Sequence, residues 1–251
     1  MTKIIDTNRD TTKHLARLRA AGIETVIRYY ARAMSSKVIR RPEALAIGEA
    51  GLRLGIVYEG AGDRLSAFSH DIGFKDAAFS RSYGAHEIEQ PPGSAVYFAV
   101  DFDANPSEIR NAIIPYFRGV AQAFAEGNGL PVYRVGVYGS GAVCAAVLDA
   151  GLAELAWVSC STGWSGYRAF VASGRWTLKQ HVPAMIAGLD ADANDGNMQR
   201  PDIGDFVPGR SPTPVASPVS LDPVKTSAPA KGRLAAAVSK LRGILPWPSK
   251  T

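Results

Sequence analysis

The sequence predicts a compact (β/α)8 barrel of the TIM type over residues 1–207, on three observations. Strand-like and helix-like stretches alternate from the start of the chain. The strand-like runs end repeatedly in acidic or amide residues. Past Pro208 the composition changes to proline, serine and alanine, which marks the end of the packed region. Strands alternating with helices imply parallel pairing and right-handed crossovers. Eight of them in a stretch of this length suit a closed barrel at the small end of that fold. An open doubly wound sheet is the alternative.

The elements follow in order. "KIIDTN" (3–8) is a strand, followed by an amphipathic helix through "TKHLARLRAAG". "TVIRYYA" (25–31) and "RLGIVYEG" (53–60) are the second and third strands, with helices in "RPEALAIGEAGL" and within His70–Ile88. "VYFAVDFD" (96–103) is the fourth. There Tyr97, Ala99, Asp101 and Asp103 share one face, and Val96, Phe98, Val100 and Phe102 the other. A long helix follows, then "YRVGVYGS" (133–140), "GAVCAAVLDAG", "AWVSCST" (156–162) and a short helix near 166–173. "TLKQHV" (177–182) and "AGLDADAN" (187–194) complete the strands, with a connection between them too short for a helix.

Composition narrows the function classes. No run of eighteen apolar residues is present to cross a membrane as a helix. "MTKIIDTN" lacks the apolar core of a signal peptide, so export by a standard signal is not expected. Cys144 and Cys160 are expected as reduced core thiols, without metal-ligand spacing. The formal net charge of +5 belongs to the far end, where Lys231, Arg233, Lys240, Arg242 and Lys250 stand without an acidic residue. The barrel itself is near neutral, and no nucleic-acid partner is expected. Residues 208–232 read as a semi-extended linker, with six prolines in 208–229. Residues 233–251 read as a short cationic amphipathic tail, suited to an anionic membrane or envelope surface.

In such a barrel, active sites gather at the C-terminal strand ends. Asp6 and Asn8 close the first strand, Glu59 the third, and Asp101 and Asp103 the fourth. The eighth carries Asp190, Asp192 and Asn194 on one parity. Any one of these is an ordinary turn former. Together they point to a shared acidic mouth. Clustered carboxylates without histidine or cysteine suit glycoside hydrolysis, where one carboxyl donates a proton and another serves as nucleophile, base or electrostatic partner. A hard-cation site also uses oxygen ligands, but no calcium-loop pattern or phosphate cradle accompanies them. No metal or cofactor is expected. Tyr30, Tyr58, Tyr138 and Trp164 lie where they can stack on sugar rings, and Gln180 and His181 where they can bind hydroxyls.

"IIDTN", "VYFAVDFD", "VGVYGS", "LKQHV" and "DAN", in this order and spacing, resemble the glycoside-hydrolase-like domains of unknown function, relatives of the family 25 lysozymes. The resemblance spans residues 1–207. It implies a (β/α)8 barrel that cleaves peptidoglycan between N-acetylmuramic acid and N-acetylglucosamine. By position, Asp6, Asp101 and Asp192 with Asn194 match the lysozyme carboxylates. Asp103 stands where the lysozymes carry the glutamate proposed as proton donor, one methylene longer. Glu59 has no place in the lysozyme motif and is an alternative acid. The expectations are a peptidoglycan hydrolase with Asp103 as general acid or, alternatively, a glycan-binding module without turnover. A monomer is expected, acting at the envelope after non-standard release, as a phage-type lysin or an injected effector.

Overall fold

The computed structural model describes residues 3–127 and 129–210. The tail expected over 233–251, and all but the first residues of the linker over 208–232, lie outside them. Eight strands close into a barrel in chain order. They are β1 (Ile4–Asp6), β2 (Thr25–Tyr30), β3 (Arg53–Tyr58), β4 (Ala95–Ala99), β5 (Arg134–Gly139), β6 (Leu155–Val158), β7 (Leu178–Ile186) and β8 (Leu189–Gly196). Six crossovers carry helices: α1 (Leu15–Ala20), α2 (Arg41–Glu49), α3 (His70–Tyr83), the continuous pair α4 (Pro106–Glu108) and α5 (Ile114–Ala125) joined by a π-helical turn, α6 (Gly141–Asp149) and α7 (Tyr167–Ala172).

The closed barrel agrees with the sequence reading; the direction of its last strand does not. β1 through β7 pair in parallel, but β8 is antiparallel to both β7 and β1. The cause is local. Ala187 (φ 52°) and Gly188 (φ 80°) form a two-residue turn with both residues left-handed, which returns the chain as a hairpin. A parallel connection needs a crossover of about a dozen residues or more, and none is available here. The hairpin pairs Ile186 with Leu189 and Gln180 with Asn194, with a register shift between Gln180 and Pro183. A bulge is where a strand tolerates a proline without an N–H.

The period-2 reading of β4 holds. Tyr97 and Ala99 point into the barrel with Ile27, Val57, Leu155, Trp157 and Leu178. Phe98 points outward, with its ring 6.3–6.4 Å from those of Tyr116 and Phe117 on α5. Gly136 on β5 makes room for this filling, because a Cβ there would lie 2.5 Å from Tyr97 Cδ1. The Tyr97 hydroxyl donates to Ile203 O (3.0 Å), in the segment that crosses the lower end of the barrel. β4 stops at Ala99, so Asp101 and Asp103 stand on the loop beyond it and not on the strand.

Candidate functional site

At the C-terminal end of β1, Asp6 is only 1% exposed. It accepts hydrogen bonds from Asn194 Nδ2 (2.8 Å), Gln180 Nε2 (3.2 and 3.3 Å to its two oxygens) and the Tyr29 hydroxyl (3.3 Å). The same Gln180 Nε2 donates to Asp192 Oδ2 (3.0 Å), so one amide serves two carboxyls. Both amides are oriented from behind. The Trp157 indole N–H donates to Asn194 Oδ1 (2.8 Å), and the Tyr138 hydroxyl donates to Gln180 Oε1 (2.8 Å). An indole nitrogen can only donate, so the Asn194 amino group must face Asp6.

These carboxyls are held by neutral donors, and their affinity for protons rises. Burial pushes Asp6 up to about 7 against its three hydrogen bonds, and the Asp192 charge adds to the rise. Burial, with Asp190 nearby, pushes Asp192 up to about 6. Burial also raises Asp101, reinforced by Glu59 and Asp63. Glu59 is bound by Lys37 Nζ (3.0 Å).

Asp101, Asp192 and Glu59 line one cleft of about 360 Å³, with aromatic walls from Tyr29, Tyr138, Trp157 and Trp164. Gln180, Cys160, Ser161 and Pro183 also line it, with Val57 and Ala99 from the strands. A larger hollow of about 1050 Å³ lies at the other end of the barrel, around Trp176 and residues 194–205. Its charges are held in ion pairs, Lys3 with Glu24 (2.7 Å), Arg53 with Asp205 (2.7 Å), Asp195 with Lys179 (3.0 Å) and Asp202 with Arg134 (2.7 Å). The smaller cleft is the one that gathers carboxyls of raised proton affinity, and it is the candidate site. Among the described residues, no three or more His, Cys, Asp or Glu side chains are placed to hold a metal ion.

Several residues singled out from the sequence fall elsewhere. Tyr30 and Tyr58 are buried on the outer face of the barrel, donating to Gln90 Oε1 (3.0 Å) and Asp76 Oδ1 (2.7 Å). Strand parity explains this: on β2 and β3 the inward set is Ile27, Tyr29 and Val57. His181 is half exposed and bound to Asp195 (2.9 Å), away from the cleft. Asn8 is exposed beyond β1 and does not line the cleft. Asp190 is exposed, 3.8 Å from Arg9. Asp103 is exposed and outside the cleft; it accepts from Ser165 N (2.8 Å) and Ser165 Oγ (3.1 Å), anchoring the loop that carries Trp164. Asn194 lies beneath the cleft, supporting Asp6. Cys144 is buried and Cys160 partly so; both are free, and Cys160 belongs to the cleft wall, not the core. Tyr29 and Trp157 were missed, although each shares parity with an inward neighbour two residues away.

Residues 16–200 match the family model described as Rv2525c-like, glycoside hydrolase-like domain. The chain belongs to this family. This glycoside hydrolase-like chain is 33% identical, over 202 residues, to the uncharacterized protein YbfG of Bacillus subtilis (strain 168). The match takes in 74% of this chain but 28% of YbfG, so the chain spans under a third of that relative's length. Among solved structures, it is similar to the Tat-secreted protein Rv2525c of Mycobacterium tuberculosis, crystallised with L-tartrate. That similarity has a TM-score of 0.66 at 20% identity, covering 81% of this chain and 98% of the other. The modular autolysin LytC of Streptococcus pneumoniae, in complex with a synthetic peptidoglycan ligand, matches with a TM-score of 0.50 at 12% identity. The match covers 77% of this chain and 46% of LytC. At these identities the structural matches establish the fold.

Proposed function

We propose that this glycoside hydrolase-like barrel cleaves the glycan strands of peptidoglycan in muramidase fashion. The observation that carries the reading is the cleft itself: Asp101 and Asp192, both biased toward the protonated state, line one aromatic-walled mouth with Asp6 behind. Asp192 is the proton donor. Its proton passes to the glycosidic oxygen as the bond from C1 to that oxygen breaks, and positive charge builds on the sugar ring. Asp101 is the counter-carboxylate for that charge and the acceptor of the proton released when water adds at C1. Gln180 aims Asp192, and buried Asp6 tunes the pair without touching substrate. Trp164 and Tyr29 supply stacking faces. Family membership and the likeness of the barrel to an autolysin fold support a glycan substrate.

In this reading Asp103 is a loop anchor. Its occupation by Ser165 also favours a second reading, glycan binding without turnover. Mass spectrometry of muropeptides from purified walls separates the two. Wild-type protein should generate new reducing ends on N-acetylmuramic acid, Asp103→Asn should retain most of that yield, and Asp192→Asn should lose it. Bound but uncut glycan would establish the second reading, and neither binding nor cutting would end both. The reading places the action at the cell envelope, with the basic residues of 233–251 drawing the barrel to an anionic surface.

A further inference from the structure

Beside the acidic cleft lies a smaller hollow of about 180 Å³, and Ala99 at the end of β4 lines both. Residues 60–62 line it as well and lie against the loop just past β4, where Gly62 O accepts from Asp101 N (2.8 Å). Arg32, just past β2 at the same end of the barrel, lines this hollow. Its Nε donates to Asp76 Oδ1 (2.8 Å), and Asp76 also accepts from the hydroxyls of Tyr58 (2.7 Å) and Tyr116 (3.1 Å). A carboxylate only 6% exposed thus fixes a guanidinium that remains 49% exposed.

The charge pattern gives this arrangement a use. Around the mouth, Lys37 is bound to Glu59, Arg9 to Asp190 and Arg64 to Asp63. Asp101 and Asp192 add negative charge whenever they ionise. A substrate bearing a carboxylate is therefore repelled from most of this rim. Arg32 differs from the other cations because its partner lies buried beneath it and is shared with two phenols. Of the five N–H donors of a guanidinium, one goes to Asp76 and Tyr58 can take another, which leaves a fork for a ligand. Phe68 and Ile72 give the hollow an apolar wall.

We infer that Arg32 and its hollow form a carboxylate-binding subsite that reads the acidic substituent of muramic acid, its lactyl group or its stem peptide. It separates peptidoglycan strands from neutral chitin-type glycans. This rests on the glycan-cleaving reading above and names what that cleft selects.

The test is calorimetric titration of the full chain in an Asp192→Asn background, which stops turnover in every arm. Three probes are used: a neutral N-acetylglucosamine tetramer, a peptide-free tetrasaccharide alternating N-acetylglucosamine and N-acetylmuramic acid, and that tetrasaccharide with stem peptides. Arg32→Gln should weaken the acidic probes on the order of tenfold and leave the neutral tetramer within about twofold. Loss on the peptide-free probe assigns the lactyl carboxylate; loss confined to the peptide-bearing probe assigns the stem. Arg32→Gln with Asp76→Asn removes both charges and should behave alike, which distinguishes lost recognition from an unsupported buried carboxylate. Equal loss on all probes, or loss on none, overturns the subsite. Binding of the neutral tetramer alone before Arg32 is changed overturns it together with the peptidoglycan reading, whereas binding of all three probes with no loss in Arg32→Gln overturns the subsite alone. Binding of no probe removes both.

Discussion

Replacing Asp6 with asparagine probes the electrostatics on which the site depends. A carboxyl whose pKa climbs from 3.8 to about 7 on folding holds its proton more firmly in the native chain than in the unfolded one. Its contribution to stability is therefore greatest below about pH 4 and is lost as pH rises to about 7. The full climb corresponds to a cost on the order of 4 kcal/mol. Asparagine removes the charge and keeps these contacts except the 3.3 Å bond from Gln180 Nε2 to Oδ1. Its carbonyl oxygen, in the place of Oδ2, keeps Asn194 Nδ2 and Gln180 Nε2 as donors. Its amino group, in the place of Oδ1, donates to the Tyr29 hydroxyl, which turns from donor to acceptor. Urea unfolding at pH 4, 6 and 8 should show the two proteins within about 1 kcal/mol at the acidic end. At pH 8, Asp6→Asn should be more stable by about 2–4 kcal/mol. Stabilities that differ by the same amount at all three pH values would refute the argument, because Asp6 would then ionise as readily inside as outside.

The remaining predictions concern activity, scaffold and tail. Turnover of purified walls should fall as pH rises through about 6, as Asp192 gives up the proton it must donate, and fall again toward acid as Asp101 takes one up; a flat profile between pH 5 and 8 would exclude Asp192 as the acid. Arg81→Met should destabilise the barrel by about 3 kcal/mol or more in urea unfolding. The Arg81 guanidinium is buried and serves the carbonyls of Ala123, Gly127, Leu130 and Pro131, at and beyond the end of α5. Deleting residues 209–251 should weaken sedimentation with anionic liposomes, more so at low salt, and leave cleavage of purified walls unchanged.

Much of this architecture was legible because burial writes a period of two into a strand. In "VYFAVDFD" the alternation holds along the strand itself, with Tyr97 and Ala99 inward and Val96 and Phe98 outward. The same rule was not carried to β2 and β3. Tyr30 and Tyr58 stand nearest the strand ends, yet each shares parity with outward Arg28 or Ile56. Tyr29 was there to be found from Ile27. Asp103 failed for another reason. Two residues after Asp101 places it on the same face only while the strand continues, and β4 had already ended at Ala99. The reversal of β8 turns on Ala187 and Gly188, but the same Ala-Gly pair follows helices at 21–22, 50–51 and 150–151, so the sequence does not single it out as a hairpin turn.

The reversal also explains how acids of opposite character stand three residues apart. In the antiparallel ladder Asp6 faces Asp192, and Ile4 faces Asn194. Two inward carboxyls opposite one another repel, and Gln180 from β7 places its amide nitrogen between them. A guanidinium in that place would hold both acids ionised and leave no donor near neutral pH; a neutral amide satisfies their lone pairs and leaves the proton affinity high. Asp195, one parity further along β8, receives the opposite treatment. Lys179 (3.0 Å) and His181 (2.9 Å) bind it on the outer side, and it is held below the ordinary carboxylate range. Along this strand the wall of the barrel divides acids that amides keep ready to carry protons from acids that cations fix as scaffold. Burial and the side chain that binds it, not the residue type, decide which one an aspartate becomes.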